Sequence, residues 1–399
     1  MSKKNRFFIL LFSHFLFTFQ FTLVIYQNST LLGSFLKEAG VNSLYSLYAI
    51  VAMVALAGMA KLVARFGNKH LMLVLLLANT LALFFIGLSD YREFFSTPIV
   101  IVISFLVHSA IAFIFKTNLD IETELFTKES GAGELRGTVL TATNLAWLSG
   151  PALAGLLVTN TFFYGRAYLV ASCISFLLFC VVLFFFKKDI HHDGAFSFFE
   201  TLKEVRARSD LRYIFMTNFL MHFFFSWMVI YLVPFLVFKN NFTPAEVSII
   251  VTAMLIPYLI VDVPLGKIAD KYWGEKELLI IGFSIAAIFT FFIPFLKTTE
   301  LLVWAAILFG TRVGAAIIEI MSETYFFKKI QRGDDHLISF FRNGQPLAYI
   351  SGPIVATILL YGYSYFTGNT ETPYQFLFLC LAFIVLYGLR YALPLRDTR

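Results

Sequence analysis

The stretch Leu62-Val63-Ala64-Arg65-Phe66-Gly67-Asn68-Lys69-His70 separates two long apolar runs. A related stretch, Ile268-Ala269-Asp270-Lys271-Tyr272-Trp273-Gly274-Glu275-Lys276, separates two more about 206 residues later. Each copy contains at least two cations and a glycine. Glycine adopts the positive φ that a tight reversal needs, and the positive-inside rule keeps the cations on the cytoplasmic side of a membrane. The paired turns therefore predict a duplicated protein that crosses a membrane.

The chain is too apolar for a water-soluble protein. Hydrophobic residues make up 59% of its 399 residues, charged residues make up 14%, and the mean hydropathy is +0.78. A soluble protein carries about 25% charged residues, so lipid is the expected solvent for most side chains. We interpret the formal charge of +6 as the cationic excess of cytoplasmic loops, and we expect no nucleic-acid partner.

Twelve apolar runs are long enough to cross a bilayer, for which a helix needs about 20 mostly apolar residues. The predicted spans are residues 7–27, 43–63, 70–89, 97–117, 137–159, 164–186, 212–238, 245–268, 277–296, 300–322, 337–361 and 373–394. Because the runs are continuous rather than alternating, they predict helices and not the strands of a barrel. The predicted fold class is an all-α membrane protein with 12 transmembrane helices.

The distribution of cations predicts the orientation of these helices. With the N-terminus inside, 24 of the 31 Lys and Arg residues fall in cytoplasmic segments and 5 in outer loops, while Arg312 and Arg342 fall within spans. Both termini are therefore expected in the cytoplasm. Short loops favour the inner (plasma) membrane of a bacterium as the location of this multi-pass protein.

The chain divides into two similar halves. Ser149-Gly150-Pro151-Ala152-Leu153-Ala154 recurs as Ser351-Gly352-Pro353-Ile354-Val355-Ala356, an offset of 202 residues. The one long polar interval lies midway, and its segment 196–205 has the apolar spacing of an amphipathic helix. We predict a six-helix bundle over 1–186, a cytoplasmic linker over 187–211 and a second six-helix bundle over 212–399. Because six spans return the chain to its starting side, the repeat is parallel and a pseudo-twofold relates the bundles.

Parallel six-helix repeats are typical of secondary transporters, and the sequence resembles the major facilitator superfamily (MFS) over essentially its whole length. The turn between the second and third spans of that family is similar to G-x-x-x-D-[R/K]-x-G-x-[R/K]. The first copy here keeps Arg65, Gly67 and Lys69, and the second keeps Gly266, Asp270, Lys271, Gly274 and Lys276. Ala64 replaces the Asp in the first copy, so the resemblance implies Asp270 as the residue that latches the two halves.

The resemblance also implies a cytoplasmic gate of ion pairs. Glu122, Glu124, Glu129 and Arg136 lie at the cytoplasmic ends of spans four and five. They are expected to form gating ion pairs with Arg65 or Lys69, and the solvated face of a loop is the alternative. We add Glu323 and Arg342, at the corresponding place in the second half.

Polar side chains within the spans are the candidates for the substrate and proton pathway, since a charge within a bilayer needs a partner or water. The candidates are Arg312, Glu319, Asp262, His14, Gln20, His108, Asn218, His222 and Trp227. For Arg312 and Glu319 the alternative to cargo contact is a structural ion pair. Asp262 is either a proton carrier or a partner of Arg342. For the histidines and Trp227, the alternative to a role in the pathway is packing between helices.

Span five is similar to the family's antiporter motif, G-x8-G-x3-G-P-x2-G-G. Gly137, Ala146, Gly150, Pro151 and Gly155 occupy its positions, with alanine at two of the glycine positions. Small residues let helices pack closely. The motif accompanies drug:proton antiport, although the recurrence of Gly-Pro in span eleven is also explained by the repeat alone.

We therefore predict a secondary transporter that moves a small organic, amphipathic or drug-like solute by alternating access, in proton-coupled efflux. Uptake by symport or facilitation is the alternative, and a non-transporting membrane sensor or scaffold is a more distant one. We expect a monomer in the lipid bilayer with protons as the coupling ion. The sequence contains no zinc spacing, nucleophile elbow or phosphate-binding loop, so we expect no metal, no cofactor and no enzymatic activity.

Overall fold

The structure of the chain is a computed structural model that describes residues 3–91, 97–130, 133–158, 164–186, 198–260, 273–330, 335–368 and 373–396. These residues form helices joined by short connections. The helices of the first half are α1 (Lys3–Ile25), α2 (Asn28–Gly33), α3 (Glu38–Ala57), α4 (Met59–Phe66), α5 (Asn68–Gly87), α6 (Pro98–Ser130), α7 (Gly133–Leu157) and α8 (Gly165–Phe185). A short helix in the central interval, α9 (Phe198–Ala207), follows.

The helices of the second half are α10 (Ser209–Pro234), α11 (Pro244–Leu255), α12 (Pro257–Ile260), α13 (Glu275–Phe292), α14 (Leu301–Lys329), α15 (Asp335–Arg342), α16 (Gly344–Thr367), α17 (Tyr374–Tyr387) and α18 (Leu389–Ala392). A π-helical turn, Phe235–Lys239, directly continues α10 after Pro234. Proline lacks the N–H that an α-helix would use there.

Within the described ranges, ten helical segments are long and apolar enough to cross a membrane. The other two predicted spans correspond to α7, which has 25 residues, and to the shorter apolar segment Pro244–Ile260. The second span differs from its prediction, because the helix is interrupted at Gly58 between α3 and α4. Glycine is a poor helix former, which accounts for a break at this position.

The described residues belong to two compact units. The first comprises Met1–Lys37, Leu47–Ala195 and Thr243–Ser248. In it, α1 packs on α7 and α8, and α5 packs on α6 and α8. Its core includes Phe17, whose ring lies 4.8 Å from that of Phe115.

The second unit comprises Glu38–Ser46, Phe196–Phe242 and Ile249–Arg399. In it, α13 packs on α14 and α17, while α10 packs on α14 and α16. A Cβ at Gly314 would lie 2.4 Å from the backbone nitrogen of Ala286, so glycine permits the close approach of α13 and α14. Trp227 and Trp304 are fully buried in its core.

The two turns from which the sequence analysis started differ in their backbone. Gly67 has φ 79° between α4 and α5, a conformation that favours glycine. Gly274, immediately before α13, has φ −75° and an extended conformation. A positive φ at the second glycine was therefore a wrong expectation, because that residue serves as an ordinary helix N-cap.

Candidate solute and proton pathway

A buried polar network joins four helices of the first unit. His108 Nδ1 lies 2.7 Å from Asn79 Oδ1, and Asn79 Nδ2 donates to Ser175 Oγ at 2.9 Å and to Gln20 Oε1 at 3.4 Å. An amide oxygen only accepts, so Nδ1 of His108 carries the proton in this contact. Nε2 of Gln20 and Nε2 of His108 are buried and have no hydrogen-bond partner among the described residues. Buried polar atoms without a protein partner indicate places for water or a ligand.

Two further polar contacts connect the helices of this unit. His14 Nε2 on α1 lies 2.8 Å from Thr123 Oγ1 on α6. Asn68 Nδ2, in the first turn of α5, donates to Glu122 Oε1 at 2.9 Å. The fully buried amide of Asn118 has no hydrogen-bond partner at either of its polar atoms within the described ranges.

Arg312 is a deeply buried charge among the described residues of the predicted pathway. Its side chain on α14 is 2% exposed, and its Cζ lies 5.4 Å from the ring centroid of Phe224 and 5.2 Å from that of Phe225. Nε and Nη2 of Arg312 have no hydrogen-bond partner in the described part of the chain. Glu319 lies two helical turns further along α14 and is half-buried. A separation of seven residues corresponds to about 10.5 Å along a helix, too far for a direct ion pair.

Three further pathway candidates of the second unit, Asn218, His222 and Trp227, lie on α10. Asn218 Nδ2 donates to the carbonyl oxygen of Phe341 at 3.3 Å, and the half-buried ring of His222 lies 6.0 Å from that of Phe225. Trp227 is fully buried, and its Nε1 donates to the carbonyl oxygen of Gly352 at 2.9 Å. The contacts of Trp227 are those of a side chain that packs α10 against α16.

Several charged side chains that we predicted for the cytoplasmic gate make contacts in the described part of the chain. Glu323 and Arg342 form an ion pair between α14 and α15. Nζ of Lys69 donates to the carbonyl oxygens of Leu183 and Phe186 at 2.9 and 2.8 Å, which satisfies the C-terminal end of α8. Arg65 is exposed and stacks over the ring of Phe66 at 5.2 Å.

The small residues of α7 bring two neighbours close to this helix. A Cβ at Gly150 would lie 2.1 Å from Thr22 Oγ1 of α1, and one at Gly155 would lie 2.4 Å from Ser248 Oγ of α11. Ala146 is fully buried, and its carbonyl oxygen accepts a hydrogen bond from Thr22 Oγ1 at 2.9 Å. Pro151 lies within the helix, and its carbonyl oxygen accepts from Ser248 Oγ.

Several predicted positions lie outside the described residues. These are Asp262, Gly266, Asp270 and Lys271. Arg136 and Gly137 belong to α7, but the structure describes only their place in this helix and not their surroundings.

Two groups of polar residues with described hydrogen bonds were not among the predicted site residues. Asn79 and Ser175 belong to spans three and six, which have almost no ionisable groups, yet both take part in the network around His108. In the second unit, the hydroxyl of Tyr231 donates to Asn42 Oδ1 at 2.7 Å, and the hydroxyl of Tyr374 donates to Glu38 Oε2 at 3.3 Å. An isolated Asn in the leucine-rich run 71–88 was the available signal for the first group.

The family model of the Major Facilitator Superfamily matches residues 10–239 and 214–398. The chain therefore belongs to the Major Facilitator Superfamily, and its helices form the twelve-helix fold of that family. It is a multi-pass membrane transporter of a small molecule and not an enzyme. No match was found among curated protein sequences.

Solved structures of other transporters share this fold. A mutant of the nucleoside transporter NupG aligns with a TM-score of 0.75 and 15% identity over 98% of this chain and 99% of its own. The human organic anion transporter MFSD10 (TETRAN) aligns with a TM-score of 0.63 and 15% identity over 98% of this chain and 100% of its own. A bacterial homologue of the human lysosomal transporter Spinster aligns with a TM-score of 0.65 and 11% identity over 98% of this chain and 93% of its own.

Proposed function

We propose that this transporter exports a small amphipathic organic solute across the plasma membrane in exchange for protons, by alternating access. Its two six-helix repeats, residues 1–186 and 212–399 joined by the linker 187–211, are the moving parts. The protein works as a monomer in the bilayer with both termini in the cytoplasm.

The observation that supports solute transport best is the set of buried polar atoms that have no hydrogen-bond partner among the residues that the structure describes. They occur on helices of both units, at Gln20, His108 and Asn118 and again at Arg312. A membrane protein that served only as a scaffold gains nothing from such atoms, since each one costs about 1–3 kcal/mol when it lacks a hydrogen bond. A transporter needs them, because its interior is alternately occupied by water and by cargo.

Proton exchange is supported by titratable groups within the spans. His14 and His108 are both buried, and histidine is the side chain that most readily exchanges a proton near neutral pH. Asp262 is the corresponding candidate in the second half, and Arg312, Glu319, Asn218 and His222 are the other candidates for the proposed pathway in that half. The close packing of α7 at Gly150 and Gly155 agrees with the antiporter-like motif, which favours export.

Flux into proteoliposomes under an imposed pH gradient tests this proposal. The three structural relatives are described as transporters of different kinds, so the panel covers different classes of solute. It contains uridine, benzoate and the amphipathic cation ethidium. We expect one class of cargo to move against its own gradient when protons flow the other way. We expect Asp262→Asn and His108→Gln to lose the gradient dependence, whereas His70→Gln, at an exposed position on α5, retains it.

Other results would select a different function. Flux that is equal with and without a pH gradient would identify facilitation, and movement of cargo together with protons would identify uptake by symport. No movement of any compound would overturn transport of these solute classes.

A further inference from the structure

Two nitrogens of the Arg312 side chain are buried without a hydrogen-bond partner among the described residues. The side chain is 2% exposed on α14, and the two nitrogens are Nε and Nη2. The guanidinium of arginine stays protonated, and therefore charged, in proteins. An isolated buried charge is expensive and is retained only where a partner or water reaches it. Within the described part of the chain, two nitrogens of this guanidinium are therefore available to an anion.

The nearest acidic side chains of α14 do not bind these two nitrogens. Glu319 is two turns away on the same helix, and Glu323 forms its ion pair with Arg342. The contacts that Arg312 does make are with aromatic faces, at 5.4 Å from Phe224 and 5.2 Å from Phe225. Such contacts attract the cation but supply no hydrogen-bond acceptor.

The aromatic side chains near Arg312 also indicate the chemistry of the uncharged part of a suitable ligand. The ring of Phe225 contacts both His222 at 6.0 Å and Tyr258 at 6.2 Å. A planar apolar group can stack on these rings while an acidic group on it approaches the guanidinium. The fork of an arginine binds carboxylate and phosphate through two parallel hydrogen bonds.

We propose that Arg312 is the anion-binding residue of this transporter and that its cargo is an aromatic or otherwise apolar organic anion with a carboxylate or phosphate group. Phe224 and Phe225 hold the guanidinium in place and contact the apolar body of the cargo. That the bound anion is also transported rests on the proposed function. The anion site itself is tested by binding alone.

Binding to the purified full-length chain in detergent is measured first, by thermal unfolding with two matched pairs of compounds. Benzoate is compared with benzamide, and phenyl phosphate with phenol. We expect at least one acid to raise the melting temperature of the wild type, while its neutral counterpart does not. The acid that binds identifies whether carboxylate or phosphate is preferred.

Substitutions of Arg312 then assign this selectivity to the guanidinium. We expect Arg312→Gln to weaken binding of the acid by at least about tenfold, the loss of one charged hydrogen bond, and to remove the preference over the neutral compound. Arg312→Lys keeps the charge but not the fork, so it should restore part of the affinity. Arg212→Gln is the matched control, because the exposed Arg212 makes a similar contact of 5.3 Å with Tyr213.

The ligand-free melting temperature separates an anion site from a purely structural arginine. Removing an unpaired buried charge should leave this temperature unchanged or raise it, whereas removing a structural contact should lower it and leave the selectivity intact. Equal binding of acids and neutral compounds by the wild type, or an Arg312→Gln variant that retains the preference for acids, would overturn the inference. So would a wild type that binds none of the acids.

Flux of the same compounds distinguishes this inference from the proposed function. Selective binding of an acid that depends on Arg312, without any flux, would leave the anion site standing and remove transport of that acid. If benzamide or phenol is transported and Arg312→Gln does not change this flux, the proposed transport function stands. The proposal that the cargo is an anion is then overturned.

Discussion

Two ion pairs of the second unit contain partners of very different burial. Lys328 Nζ lies 2.6 Å from Glu275 Oε1, and the Glu275 side chain is 1% exposed while that of Lys328 is 38% exposed. Glu323 and Arg342 are paired as well, but their side chains are 36% and 49% exposed. Because water screens the second pair far more, the same chemistry has different energetic weight at the two places.

We predict that Lys328→Met destabilises the protein more than Arg342→Met does. The first substitution leaves a buried carboxylate without this cation, which costs about 3 kcal/mol. The second removes an exposed pair, which is worth about 0–1 kcal/mol. Unfolding of the purified protein, followed by tryptophan fluorescence, measures both, and equal losses would contradict the argument.

Single residues show where sequence patterns fail to identify a site. His108, Gln20 and Arg312 were predictable because a polar group in a long apolar run must have a partner. Asn79 was missed because its role depends on contacts with residues 59, 29 and 96 positions away, and no local spacing encodes those contacts. Glu38 was missed for the same reason, since its partner Tyr374 lies 336 positions away.

At the scale of helices, Gly150 and Gly352 have equivalent roles. A Cβ at Gly150 would meet Thr22 of α1, and one at Gly352 would lie 2.4 Å from Ser226 Oγ of α10. Each glycine thus permits close contact between the first and the fifth span of its own half. Since each precedes a proline, the repeated Gly-Pro pair is explained by helix packing in both halves.

We predict that Gly150→Ala lowers the stability by at least about 1–3 kcal/mol, the usual cost of overpacking. The added Cβ would lie 2.9 Å from the backbone carbonyl carbon of Thr22, so α1 and α7 must move apart. Gly362→Ala is the matched control, because a Cβ at that position of α16 meets nothing within 4 Å. Thermal unfolding in detergent compares the two, and an equal effect would show that loss of glycine itself is responsible.

The helices themselves were largely predictable, whereas their interruptions were not. Continuous apolar runs identify spans because a bilayer requires about 20 such residues. The break at Gly58 and the π-helical turn after Pro234 depend on how each helix packs along its length. The different backbones of Gly67 and Gly274 show that similar sequences at equivalent turns need not adopt one conformation.

The orientation of the whole molecule that its cations predict is open to a direct test. In a variant with Cys173, Cys180 and Cys380 replaced by Ser, we introduce Lys37→Cys in a predicted outer loop or Lys203→Cys in the predicted cytoplasmic linker. We predict that a membrane-impermeant maleimide labels the first in intact cells and labels the second only after the cells are opened. The reverse pattern would invert the proposed topology.

Each compact unit contains a short segment from the opposite half of the sequence. Glu38–Ser46 belongs to the second unit and Thr243–Ser248 to the first, and both segments lie near the start of the second predicted span of their half. A single copy of the repeat contains one such segment. If that copy packed its segment as the present chain does, two subunits would have to exchange their segments in a homodimer, and fusion of the two genes would make the exchange permanent.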